Sequence, residues 1–515
     1  ERIAQGQRLF SSAGLVLLHK TFGTTPNIAP PSNLKNPVSI VYKFMLVNFS
    51  LSKITIAINS YFYFQINLPQ MKIHLIAIGG SAMHNMALAL HHKGFKVTGS
   101  DDAVFSPSKE RLEKHGLLPN EMGWFPDKIT SDLDAIILGM HARENNPELA
   151  KAKELNIPIF SYPEYIYEQS KNKKRVVIGG SHGKTSITAM ILHVLQNLNI
   201  DCDYMVGAQL EGFDTMVKLT HDAPIIILEG DEYLSSPIDR RPKFHLYKPH
   251  IAVLSGIAWD HINVFPTFEM YVDQFRIFKN MVSDTLIYCS EDEELCKLTK
   301  EETNCKLIPY STPKHEIKNG ITTLKNTKLL IFGNHNLQNL NAAKLVCNEL
   351  GVSDNDFFEQ IATFKGASKR LELVKRTETS ALYKDFAHSP SKLKATSSAM
   401  KKQFENRKLV ACMELHTFSS LNDEFLAQYK GSMDTPDTAI VYFSPEAIAH
   451  KKLELITKQQ VHSAFNREDL LVFTDAKKLE DYLTTLNWNN QNLLMMSSGT
   501  FDGMKFEGLI NSYTT

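Results

Sequence analysis

A short β-branched run that leads into a glycine-rich turn constrains the fold of this chain most strongly. The run Val176-Val177-Ile178 is followed by Gly179-Gly180-Ser181-His182-Gly183-Lys184-Thr185-Ser186, and an apolar, helix-like segment follows the turn. Such a unit points backbone N–H groups at a phosphate, the lysine adds a positive charge, and a neighbouring hydroxyl can ligate Mg²⁺. Ile178 stands where the full Walker pattern has its first glycine. The shortened pattern predicts a nucleotide-binding loop, with a chance glycine turn as the alternative.

Two further apolar runs are predicted to be buried strands that end in polar side chains. Residues 224–232 are apolar at first and turn acidic from Glu229, and residues 251–261 end in Asp260-His261. In a doubly wound sheet such strand ends lie beside the phosphate loop, where Mg²⁺ needs oxygen ligands. A solvated acidic loop and an ordinary strand-end histidine are the alternatives. The three strand ends together favour a nucleotide site.

A second unit of strand, glycine turn and helix begins near residue 72. Residues 72–78 are typical of a buried strand, Gly79-Gly80-Ser81 form the turn, and a helix is predicted to run to residue 92. The next strand ends in Ser100-Asp101. This arrangement resembles half of a dinucleotide site, but the full G-x-G-x-x-G spacing is absent. We therefore expect the diphosphate of a sugar nucleotide rather than NAD, with a turn that only packs helix on strand as the alternative.

The last third of the chain is predicted to form another α/β unit. A strand from residue 381 ends in Asp385 and His388, and further strands are predicted at residues 409–416, 439–443 and 493–496. Before this unit, a helix beginning near Gly333 carries Asn336 and Asn339 close to its N-terminus. These amides suit either an adenine edge or a phosphate, and simple helix capping is the alternative.

Length and composition set the broad class of protein. The 515 residues predict about three domains, and 43% apolar with 22% charged residues is typical of a globular protein. The formal net charge is zero, which gives no electrostatic case for a nucleic-acid partner. Six scattered cysteines without a C-x-x-C pair indicate free thiols in a reducing cytoplasm. No run of about 18 apolar residues predicts a membrane span.

The domain boundaries follow from these patterns. Residues 1–70 carry Glu1 as their one acid against six lysines and arginines, and they are interpreted as an extension outside the fold, with Met71 as the native start and a targeting leader as the alternative. The three domains are predicted at residues 71–174, 175–372 and 373–515. A solvated basic hinge is expected at residues 171–175.

The ordered motifs resemble the Mur ligase family over about residues 71–515. They are Gly-Ser-His-Gly-Lys-Thr-Ser, Glu-Gly-Asp-Glu-Tyr, Asp-His, His-Asn-Leu-Gln-Asn and Asp-Phe-Ala-His-Ser-Pro. The resemblance implies an α/β fold of three domains: a Rossmann-like UDP-sugar domain, a central P-loop ATPase-type doubly wound domain, and a C-terminal Rossmann-like domain for the amino substrate. It also implies ATP-dependent amide synthesis, in which the carboxylate of UDP-N-acetylmuramate accepts a phosphoryl group and an amine attacks the acyl phosphate.

The resemblance also implies roles for individual residues. Lys184, Glu229 and His261 would be catalytic, and Thr185, Glu229 and His261 would hold Mg²⁺. Arg370 and Asp385 would close over ATP, with His388 nearby. The full ATP-binding set would be Gly180, Ser181, His182, Gly183, Lys184, Thr185, Ser186, Asn336, Asn339, Arg370 and Asp385. The UDP-sugar set would be Gly79, Gly80, Ser81, Ser100 and Asp101.

Within the family, the chain is most similar to the branch that ligates the murein tripeptide L-Ala-γ-D-Glu-meso-diaminopimelate. Glu232-Tyr233 and residues 236–247 and 496–501 carry this likeness. The L-alanine ligase and a non-catalytic nucleotide-binding protein are the alternatives. Two departures from the family pattern bear on the amine: Ser389 replaces a usual second histidine, and residues 414–417 lack the arginine of the L-alanine ligase. No residue is assigned as a carbamylated lysine, and no oligomeric state is predicted.

Overall fold

Three largely parallel β-sheets, interleaved with helices, follow one another along the chain. The computed structural model describes residues 70–210, 212–259, 264–367, 370–421 and 423–510. The predicted α/β class is therefore confirmed. The hypothesis about residues 1–70 concerns a segment that lies, apart from its last residue, outside the described ranges.

The first sheet is wholly parallel and has the strand order β2-β1-β3-β4. Its strands are β1 (Lys72–Ile76), β2 (Lys96–Ser100), β3 (Ala135–Leu138) and β4 (Ile159–Ser161). Its helices are α1 (Ser81–His92), α2 (Ser108–Lys114), α3 (Pro147–Glu154) and α4 (Tyr162–Ser170), with a 3-10 turn at Pro126–Lys128. Asn146 caps α3 by accepting from the backbone N–H groups of Glu148 and Leu149, as a side chain at this position does before proline.

The second sheet has seven strands in the order β11-β10-β9-β5-β8-β6-β7, and β7 alone is antiparallel. Its strands are β5 (Lys174–Gly179), β6 (Asp203–Met205), β7 (Val217–Lys218), β8 (Ile225–Glu229), β9 (Ile251–Leu254), β10 (Thr285–Cys289) and β11 (Lys306–Tyr310). Its helices are α5 (Lys184–Asn197), α6 (Lys243–Leu246), α7 (Phe268–Asn280), α8 (Glu293–Leu298), α9 (Asn334–Glu349) and α10 (Asp354–Ile361). Because β5 lies between β8 and β9, the chain leaves it at a switch point where doubly wound sheets bind ligands.

A small antiparallel sheet follows the second sheet and was not predicted from the sequence. It consists of β12 (Glu316–Lys318), β13 (Ile321–Leu324) and β14 (Thr327–Leu329). These strands are short and partly exposed, so they lack the buried apolar run that predicts a parallel strand.

The last sheet has the order β15-β16-β20-β17-β18-β19, with only the edge strand β15 antiparallel. Its strands are β15 (Glu372–Arg376), β16 (Ala381–Asp385), β17 (Lys408–Glu414), β18 (Thr438–Tyr442), β19 (Leu471–Phe473) and β20 (Gln491–Met496). Its helices are α11 (Pro390–Gln403), α12 (Asp423–Leu426), α13 (Pro445–His450), α14 (Lys458–Phe465) and α15 (Ala476–Thr485), with 3-10 turns at Ser419–Leu421 and Ala427–Tyr429.

Burial of the strands explains the stability of these layers. The middle residues of the central strands are apolar and inaccessible to solvent, as in Ile226, Ile227 and Leu228 of β8, because helices cover parallel sheets on both faces. Within the described ranges, no helix has the length and apolar character needed to cross a membrane.

Candidate functional site

Strand register brings the predicted site residues of the second sheet together. Ile178 of β5 is paired with Glu229 of β8, and Gly179 is paired with Leu254 of β9. The loop after β5 therefore starts beside the end of the acidic strand. The ends of β8 at Glu229 and of β9 at Leu254 meet at the loop, whereas the predicted strand end Asp260-His261 lies outside the described residues.

The loop conformation depends on two glycines with positive φ angles. Gly180 has φ 120° and Gly183 has φ 77°, which L-residues with side chains rarely adopt. A Cβ on Gly180 would lie 2.7 Å from the backbone nitrogen of Ser255, and one on Gly183 would lie 2.3 Å from Oδ1 of Asn339. The hydroxyl of Ser255 also donates to the carbonyl of His182. The loop is thus packed against the end of β9 and against α9.

Lys184 begins α5 and points back along the loop. Its Nζ donates to the carbonyl oxygen of Gly180 at 2.7 Å and to Oε2 of Glu232 at 2.7 Å. Burial alone would lower the pKa of Lys184, but the charges of Glu232 and Asp231 outweigh it and raise this pKa above its usual value. The lysine is therefore held as a cation at the mouth of the loop.

Thr185 and Glu229 present a pair of hard oxygen atoms beside this lysine. The Thr185 hydroxyl donates to Oε1 of Glu229 at 2.9 Å, and the backbone N–H of Gly207 donates to Oε2 at 2.9 Å. Burial raises the pKa of Glu229, with opposing contributions from Gly207 and Lys184. Among the described residues, no group of three His, Cys, Asp or Glu side chains is placed to hold a metal. Mg²⁺ commonly takes one or two protein ligands and completes its shell with phosphate and water, so this oxygen pair fits the ion.

These groups open into a cleft of about 530 Å³ between the second and last sheets. The cleft brings together most of the predicted ATP-binding residues. Its lining includes Ser181, His182, Gly183, Lys184, Thr185, Ser186, Glu229, Asn336, Asn339, Arg370 and Asp385, together with His388.

The two predicted amides on α9 have different neighbours. The amide nitrogen of Asn336 donates to the carbonyl oxygen of Phe332 at 3.0 Å, four residues earlier. Asn339 packs directly against Gly183. Both are largely buried at the cleft wall, so Asn339 supports the loop itself while Asn336 fastens the start of its own helix.

Asp385 fastens the connection between the second and last sheets. Its Oδ2 accepts from the backbone N–H of Leu371 at 2.7 Å, and its Oδ1 accepts from that of Ala387 at 2.7 Å. Leu371 has φ 45°, an unusual conformation for a branched residue. Nearby, the Arg370 guanidinium lies over the Phe386 ring, 5.0 Å from its centroid. In this conformation Asp385 orients the backbone at Leu371 and Ala387. The contact with the Phe386 ring holds the Arg370 guanidinium at the cleft.

The predicted UDP-sugar residues lie separately, at the carboxyl end of the first sheet. Asp101 is 4% exposed, and its Oδ2 accepts from the backbone N–H of Gly79 at 2.7 Å. Burial raises the pKa of Asp101, and this hydrogen bond partly opposes that effect. The structure thus places the carboxylate where it shapes the glycine turn.

The remaining members of that set differ in accessibility. Ser100 is fully buried, with Oγ 3.5 Å from Nε2 of His74. The carbonyl oxygen of Gly80 accepts from the backbone N–H of His84 at 2.9 Å, and Ser81 is exposed at the start of α1. Gly79, Gly80 and Ser81 therefore form the accessible part of the turn.

At the predicted UDP-sugar site, an Asp101→Ala variant is expected to bind the sugar nucleotide more weakly, because the Gly79 turn loses its fixed acceptor. We expect the KM for this substrate to rise about tenfold, since a hydrogen bond to a charged group contributes about 1.5 kcal/mol or more. The KM for ATP should not change. Steady-state kinetics with each substrate varied separately will show this, and an equal rise in both KM values would contradict it.

Several cleft residues were not predicted from the sequence. They are Ser255, His335, Gln338, Ser391, Lys392, Ala395 and Thr396. Glu232 also lines the cleft; it belongs to the acidic run that was predicted to lie beside the loop, but it was given no role of its own. Ser255 follows β9 directly, so the rule of strand ends would have found it. Lys392 lies on α11 two residues after the Asp-Phe-Ala-His-Ser-Pro motif, and only the folded structure brings it to the loop.

Comparisons with known proteins agree with this geometry. Residues 72–174 match the sequence model described as Mur ligase family, catalytic domain, and residues 178–347 match that of the Mur ligase middle domain. The UDP-N-acetylmuramate–L-alanine ligase of Clostridium kluyveri is 30% identical over 385 residues, which cover 70% of this chain and 82% of that protein.

Two solved structures share the fold. The UDP-N-acetylmuramate–alanine ligase of Thermotoga maritima superimposes with a TM-score of 0.61 at 20% identity, and the murein peptide ligase of Psychrobacter arcticus with 0.55 at 21% identity. Each alignment covers 84% of this chain and 97% of the other. With both domain matches and the relative from Clostridium kluyveri, these findings show that the chain belongs to the Mur ligase family of ATP-dependent amide ligases.

Proposed function

We propose that this enzyme joins the lactoyl carboxylate of UDP-N-acetylmuramate to the amine of the tripeptide L-Ala-γ-D-Glu-meso-diaminopimelate, with ATP as the phosphoryl donor. The observation that carries the proposal is the single cleft in which Lys184, Thr185 and Glu229 face Asp385 and His388 of the last sheet. A phosphate loop on one wall and a separate α/β unit on the other suit a reaction in which a phosphorylated acid meets an amine.

The chemistry requires two anions, ATP and a carboxylate, to approach each other. In the proposed reaction the carboxylate oxygen forms a bond to the γ-phosphorus as ADP leaves. The amine nitrogen then attacks the carbonyl carbon, releases inorganic phosphate and loses a proton. Lys184 is placed to neutralise charge on the phosphates. Thr185 and Glu229 would hold Mg²⁺, which would neutralise phosphate charge when bound, and His261 stays a predicted further ligand.

The position of the cleft supports a water-labile intermediate. Its walls come from two units joined through the Leu371 segment, which Asp385 holds by two backbone hydrogen bonds. Relative motion of such units can close a cleft around its substrates. Closure would exclude water from an acyl phosphate, which otherwise hydrolyses.

The segment that departs from the L-alanine ligase pattern supports a peptide rather than a free amino acid as the amine substrate. Free L-alanine carries a carboxylate next to its amine, whereas in the tripeptide this carboxyl group is already an amide. Residues 414–417 are Glu-Leu-His-Thr. Glu414 has a side chain only 2% exposed and accepts from the backbone N–H of Phe501 at 2.9 Å and from the Ser497 hydroxyl. The His416 ring lies 3.6 Å from Oε1 of this acid. A buried acid at this strand end, together with the lack of an arginine within residues 414–417, disfavours a second carboxylate there.

The second candidate is ligation of L-alanine to UDP-N-acetylmuramate. It is favoured by the names of the curated relatives, several of which are UDP-N-acetylmuramate–L-alanine ligases at 27–30% identity. A non-catalytic nucleotide-binding protein is not favoured, because members of the family are ligases.

Either reaction is a step of peptidoglycan synthesis or recycling, and we propose a cytoplasmic enzyme because UDP-N-acetylmuramate and ATP are cytoplasmic metabolites. The UDP sugar would bind at Gly79, Gly80 and Ser81, where the turn offers backbone N–H groups before α1. The partners are thus small molecules, and neither a nucleic acid nor a membrane is proposed.

A substrate panel tests this proposal. Phosphate release is measured with ATP and UDP-N-acetylmuramate while only the amine is varied among the tripeptide, L-alanine and L-alanine amide. We expect kcat/KM for the tripeptide to exceed that for L-alanine by about 10²-fold or more, because a buried unpaired carboxylate is strongly penalised. L-Alanine amide, which lacks the carboxylate, should exceed L-alanine. Higher turnover with L-alanine than with the tripeptide would establish the second candidate instead.

A further inference from the structure

A buried carboxylate with no assigned role lies beside the phosphate loop. Glu232 follows strand β8 by three residues and is 1% exposed. Its Oε2 accepts from Lys184 Nζ at 2.7 Å, and its Oε1 accepts from the Tyr271 hydroxyl at 3.0 Å. Glu229, and not Glu232, faces Thr185. The buried acid is therefore directed at the lysine rather than at the proposed metal ligands.

A line of hydrogen bonds connects this acid to the loop a second time. Tyr271 lies on α7, is fully buried, and places its hydroxyl 2.9 Å from Oγ of Ser181. Ser181 Oγ accepts from the backbone N–H of Ala258, beyond the end of β9, at 2.9 Å. Lys184 thus contacts the Glu232 carboxylate directly, and Ser181, on the other side of the loop, is connected to the same carboxylate through the Tyr271 hydroxyl.

We propose that Glu232 is a positioning residue for phosphoryl transfer: it serves as the built-in counter-charge that orients the Lys184 ammonium toward the γ-phosphate, with Tyr271 fixing the carboxylate. This inference rests on the proposed use of ATP at the loop and not on the identity of the amine.

The donors of the lysine support this role. An ammonium group has three N–H donors. Gly180 O and Glu232 Oε2 take two of them in fixed directions, which leaves the third for a phosphate oxygen. A lysine that turned freely would have to be ordered during the reaction, whereas one already held by two acceptors is preorganised for the transition state.

The decisive variant is Glu232→Gln, which keeps the size of the side chain but removes its charge. We expect kcat to fall about 10- to 100-fold while the KM for ATP changes by less than about threefold, because the lost interaction serves the transition state. Phosphate release is measured with whichever amine the substrate panel identifies, so that an error in the proposed amine does not count against Glu232. An unchanged kcat, or a loss confined to KM, would overturn the proposal.

A double variant separates positioning from a merely structural contribution. If Glu232 acts through Lys184, adding Glu232→Gln to Lys184→Ala should lower kcat by no more than about twofold beyond Lys184→Ala alone. Losses that multiply would show that Glu232 acts independently of the lysine and would overturn the proposal.

Two further variants guard against a folding defect. Tyr271→Phe keeps the ring but removes the hydroxyl that donates to Oε1 of Glu232, and it should lower kcat about three- to tenfold at an unchanged KM for ATP. If Glu232→Gln does not fold, a wild-type kcat in Tyr271→Phe overturns the proposal. Glu301→Gln is the matched control. Nζ of the buried Lys279 donates to Oε2 of Glu301 at 3.3 Å, and this pair does not line the cleft. This variant should leave kcat unchanged, and an equal loss there would count against a specific role for Glu232.

Discussion

Replacing Lys184 with alanine is expected to lower the rate of ligation about 10²-fold or more while the chain still folds. The lysine is the cation that the loop holds at the mouth of the cleft, through Gly180 O and Glu232. Without it, the charge that develops on the transferred phosphoryl group loses a preorganised partner. Single-turnover phosphate release from ATP and UDP-N-acetylmuramate measures this loss.

The same substitution removes the Lys184 ammonium from the buried Glu232 carboxylate. We therefore expect the free energy of unfolding to fall by about 3 kcal/mol, and Glu232→Gln in the same chain should restore part of it. Lys173→Ala is a suitable control, because Lys173 contacts the buried Asp203 at 2.7 Å just before β5, at the opposite end of that strand from the loop. The Lys173→Ala variant should lose a similar amount of free energy of unfolding but keep its turnover. Near-normal turnover in Lys184→Ala would contradict the proposed role of the lysine.

Gly180→Ala is expected to abolish ligation almost as completely, for a steric reason. The new Cβ would lie 2.7 Å from the backbone nitrogen of Ser255, which no change of rotamer can relieve, and φ of 120° is itself unfavourable for alanine. The loop must shift, and a displacement of about 1 Å at a catalytic centre costs about 10²-fold in rate. Binding of ATP, followed by calorimetry, should weaken in parallel.

Gly351→Ala provides the matched control for this prediction. Gly351 has φ of 90°, and a Cβ there would meet no atom within 4 Å. It carries backbone strain of about 1 kcal/mol or more without a clash near the loop. Gly351→Ala should thus lose stability but keep its kcat. Equal rate losses in both variants would show that strain alone, rather than displacement of the loop, explains the effect.

The sequence predicted the parts of the site that depend on local patterns. A buried strand followed by glycines and lysine specified the loop, and the carboxyl end of the neighbouring parallel strand brought Glu229 to it. The α/β class followed from the same repeated unit of strand, turn and helix. These features are encoded within short segments, so reading them requires no tertiary information.

Features that depend on distant partners could not be read in this way. The basic segment at residues 171–175 was predicted to be a solvated hinge. Lys171 is exposed, but the prediction is wrong for Lys173 and Arg175, which are 6% and 7% exposed. Lys173 is paired with Asp203, and the Arg175 guanidinium donates to backbone carbonyls, among them that of Tyr247. For these two residues, partners 30 and 72 positions along the chain determine where the charge lies. The contact of Asp385 with ATP stays a prediction, while its carboxylate accepts from two backbone N–H groups in the structure.

Transfer of an isotope from the carboxylate tests the central claim most directly. UDP-N-acetylmuramate labelled with ¹⁸O in its lactoyl carboxylate is incubated with ATP, the tripeptide and the enzyme, and the inorganic phosphate is examined by mass spectrometry. If the carboxylate accepts the γ-phosphoryl group in this cleft, each phosphate released by amide formation carries one carboxylate oxygen. Amide product accompanied by unlabelled phosphate would contradict the account.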